Sequence, residues 1–138
     1  MDIYSHKVQY YETDKMGIVH HSNYIRWMEE ARVDFLSQIG WDYDRLESMG
    51  IVSPVLAIEC KYRISVKFPE LISIEVKVSK FDGLKLKLNY DMKNERGDIV
   101  CKAHSEHCFL DREGKPLRMK SEYPEFYKSM MYFLDTEE

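Results

Sequence analysis

The stretch NYIRWMEEARVDFLSQI, Asn23 to Ile39, decides the fold. Stepped at about 100° per residue, Tyr24, Ile25, Trp27, Met28, Ala31, Phe35, Leu36 and Ile39 fall on one broad side, and Arg26, Glu30 and Asp34 fall on the other. So wide an apolar stripe predicts a long helix sunk deep into a covering surface. Ser22 or Asn23 is placed to act as its N-cap.

The covering surface is legible downstream. Leu56, Ile58, Cys60, Tyr62, Ile64 and Val66 alternate with Ala57, Glu59, Lys61, Arg63 and Ser65. Ile72 to Val78 and Leu84 to Met92 repeat that period-2 pattern, and a noisier segment from about Ile99 to Leu110 follows. Asp82-Gly83 and Arg96-Gly97-Asp98 read as hairpin turns between them. With a strand-like opening before the helix, the order is strand, loop, long helix and an antiparallel meander. This is an α+β architecture, a five-stranded antiparallel sheet wrapped around the helix. Tyr43 to Ser48 reads as a second short helix and Tyr123 to Leu134 as a C-terminal one.

A chain of 138 residues is expected to form one domain, 1–138. The charge balance, 20 basic against 24 acidic side chains, argues against a nucleic-acid partner. No uninterrupted run of roughly 18 apolar residues is present, so no membrane insertion is expected and a cytoplasmic location is. Cys60, Cys101 and Cys108 form no CxxC pair and read as reduced core thiols.

The loop that delivers the chain to the helix, YYETDKMGIVHHSNY from Tyr10 to Tyr24, concentrates the chemistry. A helix entrance carries unpaired N–H groups and a partial positive charge, which suit an anion or a developing oxyanion. Asp14 is the carboxylate delivered there, and Gly17 supplies a flexible bend. Asp14 reads either as a nucleophile or general base acting on a carbonyl, or as a cap of the turn. The adjacent His20 and His21 side chains are expected to diverge, which disfavours a metal site, since helical zinc pairs sit at i and i+4. His104 and His107, on opposite faces of a strand, read as structural or surface residues. No metal or cofactor is expected. Arg32 falls inside the apolar arc and needs a partner, which Glu29, three residues earlier, is placed to supply.

The segment from Tyr10 through Arg32 closely resembles the signature of the 4-hydroxybenzoyl-CoA thioesterase family of hotdog-fold proteins, matching it at Asp14, Gly17, Val19, Tyr24, Glu29, Ala31 and Arg32. The likeness extends over roughly His6 to Tyr127, and the histidine at position 21 is similar to the bacterial acyl-CoA thioesterase branch. Two departures stand out: Glu12 occupies the place where many relatives have a second Asp, and Lys15-Met16 replaces smaller residues.

The resemblance implies hydrolysis of an acyl-CoA, or acyl carrier protein, thioester to the free acid. It assigns catalysis to Asp14 and His21, with the His21 backbone N–H polarising the thioester, and substrate contacts to Gly17, Val19, Tyr24 and Glu29. It further implies a homodimer joined sheet edge to sheet edge, or a homotetramer, with sites at the subunit interface. Lys61, Arg63 and Arg118, with Lys67, Lys115 and Lys120, are candidates for the CoA phosphates. The competing readings are a hotdog enoyl-CoA hydratase or dehydratase and a non-catalytic acyl-CoA binder.

Overall fold

In the computed structural model, which describes residues 2–135, strand β1 (Tyr4–Lys7) leads through a 3-10 turn at Tyr10–Glu12 into helix α1 (Ser22–Gln38). Helix α2 (Tyr43–Ser48) follows, then β2 (Val55–Tyr62), β3 (Leu71–Phe81), β4 (Lys85–Lys93) and β5 (Ile99–Cys108), and finally α3 (Met119–Glu122) and α4 (Pro124–Tyr132). The sheet is antiparallel throughout, in the order β1-β3-β4-β5-β2. Its concave face buries Ile72, Ile74, Leu86, Leu88, Tyr90 and Met92 against Trp27, Met28, Ala31 and Phe35 of α1.

The helix stops where a Schellman turn closes. Gly40 takes φ +87, its N–H reaches the Ser37 carbonyl, and the Trp41 N–H reaches that of Leu36. The turn drives the Trp41 ring against Phe126 of α4, which also meets Phe81 and Phe109, so α4 closes the end of the concave layer beside α1.

Several expectations change. Neither Ser22 nor Asn23 caps the helix: the N-cap position is His21, with no capping side chain, because the Asn23 amide is drawn back to the Glu12 and His20 carbonyls. Ile25 faces outward at 48% exposure, narrowing the apolar stripe. Strand β2 ends at Tyr62 and not at Val66, because the Arg63 and Ile64 N–H groups both turn to the Val100 carbonyl and the chain leaves the ladder. The short α3 carried no periodic signal. The noise in β5 has a definite cause: Ser105 and His107, both buried, occupy core-facing positions.

Glu12 joins the first strand, the loop and the helix. At 4% exposure its carboxylate accepts the Trp27 indole N–H (2.8 Å) and the Gln9 N–H (2.8 Å), and lies 2.9 Å from His6 Nε2. The other His6 nitrogen meets Glu30, which also accepts the Tyr4 hydroxyl. Burial by itself would raise the Glu12 pKa. The hydrogen bonds from His6, Gln9 and Trp27 outweigh it and hold the carboxyl below its ordinary 4.5. A depressed folded-state value contributes stability that is complete above the unfolded-state value and is lost as the pH falls through the folded one. Urea unfolding at neutral pH is expected to show Glu12→Ala less stable by about 3–5 kcal/mol, the range for breaking a buried pair. Glu12→Gln should lose less, and its stability should vary less steeply with pH than wild type below 4.5. Equal acid slopes in the two proteins would refute the linkage.

Candidate active site

The loop after Glu12 is a tight hairpin. Thr13 and Val19 form an antiparallel bridge, the Asp14 N–H donates to the Ile18 carbonyl, and the Gly17 N–H returns to that of Asp14. Gly17 takes φ +79, a conformation that side-chain-bearing residues rarely adopt, so its contribution is to close this turn. The hairpin is tied down on both arms: the Val19 N–H donates to Val66 and the His20 N–H to the Glu12 carbonyl. Asp14 is therefore half-buried on a braced loop. One of its oxygens accepts the Met16 N–H at 2.8 Å, and the other has no partner among the described residues.

At the helix entrance the Asn23 and Tyr24 N–H groups close onto the His20 and His21 carbonyls, and the Ser22 N–H onto His20 Nδ1. The His21 N–H has no acceptor among the described residues. Asp14, Val19, His21 and Tyr24 line one groove of about 260 Å³, together with Ile18, Tyr62 and Arg63. The Tyr24 ring stands edge-on to Tyr62 and packs on Trp27, which is wholly enclosed. A carboxylate with a free oxygen and an unused helix-entrance N–H thus share one cleft, the pairing needed to attack a carbonyl and to hold the oxyanion that results.

The remaining candidates lie elsewhere. Gly17 shapes the loop without lining the groove. Glu29 is exposed and lines a different groove, against α2 and the start of β2. Arg63 joins the Asp14 groove to a depression of mixed charge on the outer sheet face that holds Lys61 and Lys102 beside Glu59 and Asp91. Lys67, exposed, follows that segment, with its N–H on Glu70. Arg118 lies at the opposite end of the sheet, where the next residue, Met119, donates to Gly83 in the β3–β4 turn; Lys120 is packed on the same glycine, and Lys115 precedes them. The His20 and His21 rings do not diverge. They face each other with centroids 4.2 Å apart, because the helical backbone of His21 brings the second ring alongside the first. Among the described residues no cluster of three or more His, Cys, Asp or Glu side chains is arranged to hold a metal ion.

The expected Glu29–Arg32 pair does not form. Among the described residues no carboxylate lies within ion-pair distance of Arg32. Its Nε and Nη1 donate to the hydroxyls of Tyr43 and Tyr90, each at 3.3 Å. Tyr90 continues to Ser105 (2.7 Å) and Ser105 to His107 (2.7 Å). Sequence reasoning missed this buried chain because Tyr90 reads as one more apolar position of its strand; the noisy pattern around Ser105 and His107 was its only trace.

A family model described as the thioesterase-like superfamily matches residues 8–132. A Bacillus subtilis (strain 168) protein provisionally named acyl-CoA thioesterase YneP is 33% identical over 122 residues, 88% of each chain. A 1,4-dihydroxy-2-naphthoyl-CoA hydrolase of Thermosynechococcus vestitus is 27% identical over 78% of this chain and 74% of its own. Among solved structures, the DHNA-CoA thioesterase from Staphylococcus aureus superposes with a TM-score of 0.89 at 31% identity, covering 94% of this chain and 88% of its own. With that match, a helix wrapped by a five-stranded antiparallel sheet and a carboxylate at the helix entrance, this chain belongs to the thioesterase-like superfamily, on the hotdog fold.

Proposed function

We propose that this protein hydrolyses acyl-CoA thioesters, with Asp14 acting on the thioester carbonyl and the His21 N–H holding the oxyanion. The observation that carries the reading is the groove that Asp14 and His21 both line, one oxygen of the first and the N–H of the second being without a partner among the described residues. Relatives named as acyl-CoA thioesterases and hydrolases support the substrate class. As nucleophile, Asp14 attacks the carbonyl carbon, the C–S bond breaks with CoA leaving as thiolate, and water then cleaves the mixed anhydride. As general base, it takes the proton of a water that attacks directly, and the thiolate departs with a proton returned from Asp14. The His21 imidazole, exposed beside the groove, contributes a second polar contact to the carbonyl or the water. Arg63, which lines the groove, and Lys61, in the adjoining depression, suit the CoA phosphates, Arg63 being the better placed.

The functional unit we propose is at least a homodimer formed through β2. That strand is an open edge of the sheet, and its concave face is only partly covered, with Leu56 and Tyr62 each 49% exposed. An antiparallel pairing of two β2 strands continues the sheet and covers this surface. It also sets the Val55 end of one copy, with the groove containing Glu29, beside the Tyr62 end of the other, with the groove containing Asp14. Three free thiols suit a reducing, cytoplasmic setting.

Thiol release from a panel of acyl-CoAs tests the activity. Asp14→Asn is expected to lower kcat/KM by about 10²–10⁴-fold with an unchanged melting curve, while His21→Ala should lose much less because the backbone donor remains. Absence of thiol release from every acyl-CoA by wild type sinks the reading. Single turnover in ¹⁸O-water tests the nucleophile: label recovered in the Asp14 carboxyl means a mixed anhydride opened at its aspartyl carbon, and where label is confined to product, borohydride trapping of an Asp14 anhydride separates a nucleophile whose anhydride opens at the acyl carbon from a general base. Sedimentation velocity is expected to give a dimer or larger for wild type and a folded monomer for Leu56→Lys, which sets a charge into the joined edge. A wild-type monomer would remove the shared site.

A further inference from the structure

Arg32 is a buried cation whose charge nothing in the described chain balances. The residue is 7% exposed, and its two hydrogen bonds, both 3.3 Å and both to neutral tyrosine hydroxyls, are long beside the usual charge-assisted distance of about 2.7–2.9 Å. The rest of the chain is neutral too. His107 is fully enclosed, and burial first, with the Arg32 charge second, pushes its pKa down to about 4. An unpaired buried charge disfavours folding by several kcal/mol, on the order of what a partner anion restores. Arg32 therefore holds a guanidinium ready for an anion that the described chain does not supply.

The position of that guanidinium says where the anion arrives. On one side Arg32 packs into the apolar interior among Phe35, Leu36, Leu88 and Phe126, where only about 10 Å³ is free. On the other it lines an open groove of about 390 Å³, with Tyr43, Ile51, Pro54 and Val55. Its Nη2 has no protein partner among the described residues, and Tyr43 stands beside it with a second hydroxyl donor. Glu29 and Glu47 line the same groove and are exposed in the single chain, whereas Arg32 is the buried charge of its lining.

Within one chain Arg32 lies about 16 Å along α1 from His21, at about 1.5 Å per residue, too far for one short acyl chain to touch both. Paired β2 strands remove that separation, since the groove at Val55 then adjoins the partner copy's groove at Tyr62. Resting on the dimeric thioesterase reading above, we propose that Arg32, with Tyr43, is a specificity site for the far end of the acyl group and selects acyl-CoAs whose acyl chain ends in a carboxylate. A planar carboxylate matches the guanidinium fork, neutralises it, and takes the hydroxyl of Tyr43 as a further donor.

The test compares adipoyl-CoA with hexanoyl-CoA, of equal chain length, one ending in carboxylate and the other in methyl. Wild type is expected to favour adipoyl-CoA in kcat/KM by tenfold or more, with the difference mainly in KM. Arg32→Met should bring the ratio to one or below, and Arg32→Lys should recover part of it. Should Arg32→Met fail to fold, Tyr43→Phe reads the same site and should lower the ratio several-fold. A wild type that hydrolyses hexanoyl-CoA as well as adipoyl-CoA, or a ratio unmoved in the folded variants, overturns the proposal and leaves the thioesterase intact. If wild type hydrolyses neither substrate, calorimetry with adipate still decides: binding lost in the folded variants supports the anion site, and no binding to wild type overturns it.

Discussion

A carboxylate almost cut off from water, that of Glu12, is the interaction on which the site depends. It accepts from the helix through Trp27, from its own loop through Gln9, and meets the first strand through His6. Its backbone carbonyl takes the His20 N–H and the Asn23 amide, so one residue fixes both the end of the loop and the start of α1. Two residues later stands Asp14. The loop that carries it has a rigid support, because a buried charge satisfied from three directions cannot shift without leaving a donor or an acceptor unpaired.

The entrance to α1 is shaped by the same demand. The Ser22, Asn23 and Tyr24 N–H groups are spent internally, on His20 Nδ1 and on the His20 and His21 carbonyls. Here His21 holds the cap position without capping, and the Asn23 amide is committed to the loop. The His21 N–H has no acceptor among the described residues. The local cost in helix stability is offset by the depth at which Trp27, Met28 and Phe35 are buried in the sheet.

Much of this was written plainly in the chain. The helix from residue 22 to 38, its apolar face, the three strands of clean alternation and both hairpin turns follow from periodicity, because a half-buried strand or helix cannot hide its period. Asp14 and Gly17 stood out because they sit together just before a helix entrance, although capping and bending a turn accounted for the pair as well. What escaped were contacts between residues distant in sequence. Arg32 was matched to Glu29 on helical spacing, yet its partners come from Tyr43 on the next helix and Tyr90 on the fourth strand. Tyr90 carries a polar tip into a core position, and a period-2 pattern registers only its ring.

The sequence by itself determined the architecture, the family and the loop that carries Asp14, because these rest on local patterns of burial and on one contiguous motif. Only the tertiary structure decided that Glu12 braces that loop, that Glu29 lines another groove than Asp14, and that Arg32 is left facing an open groove without a counter-charge. The reason is physical: a hydrogen bond or an ion pair is set by position and angle within a few tenths of an ångström, and spacing along the chain does not specify such distances between residues brought together by folding.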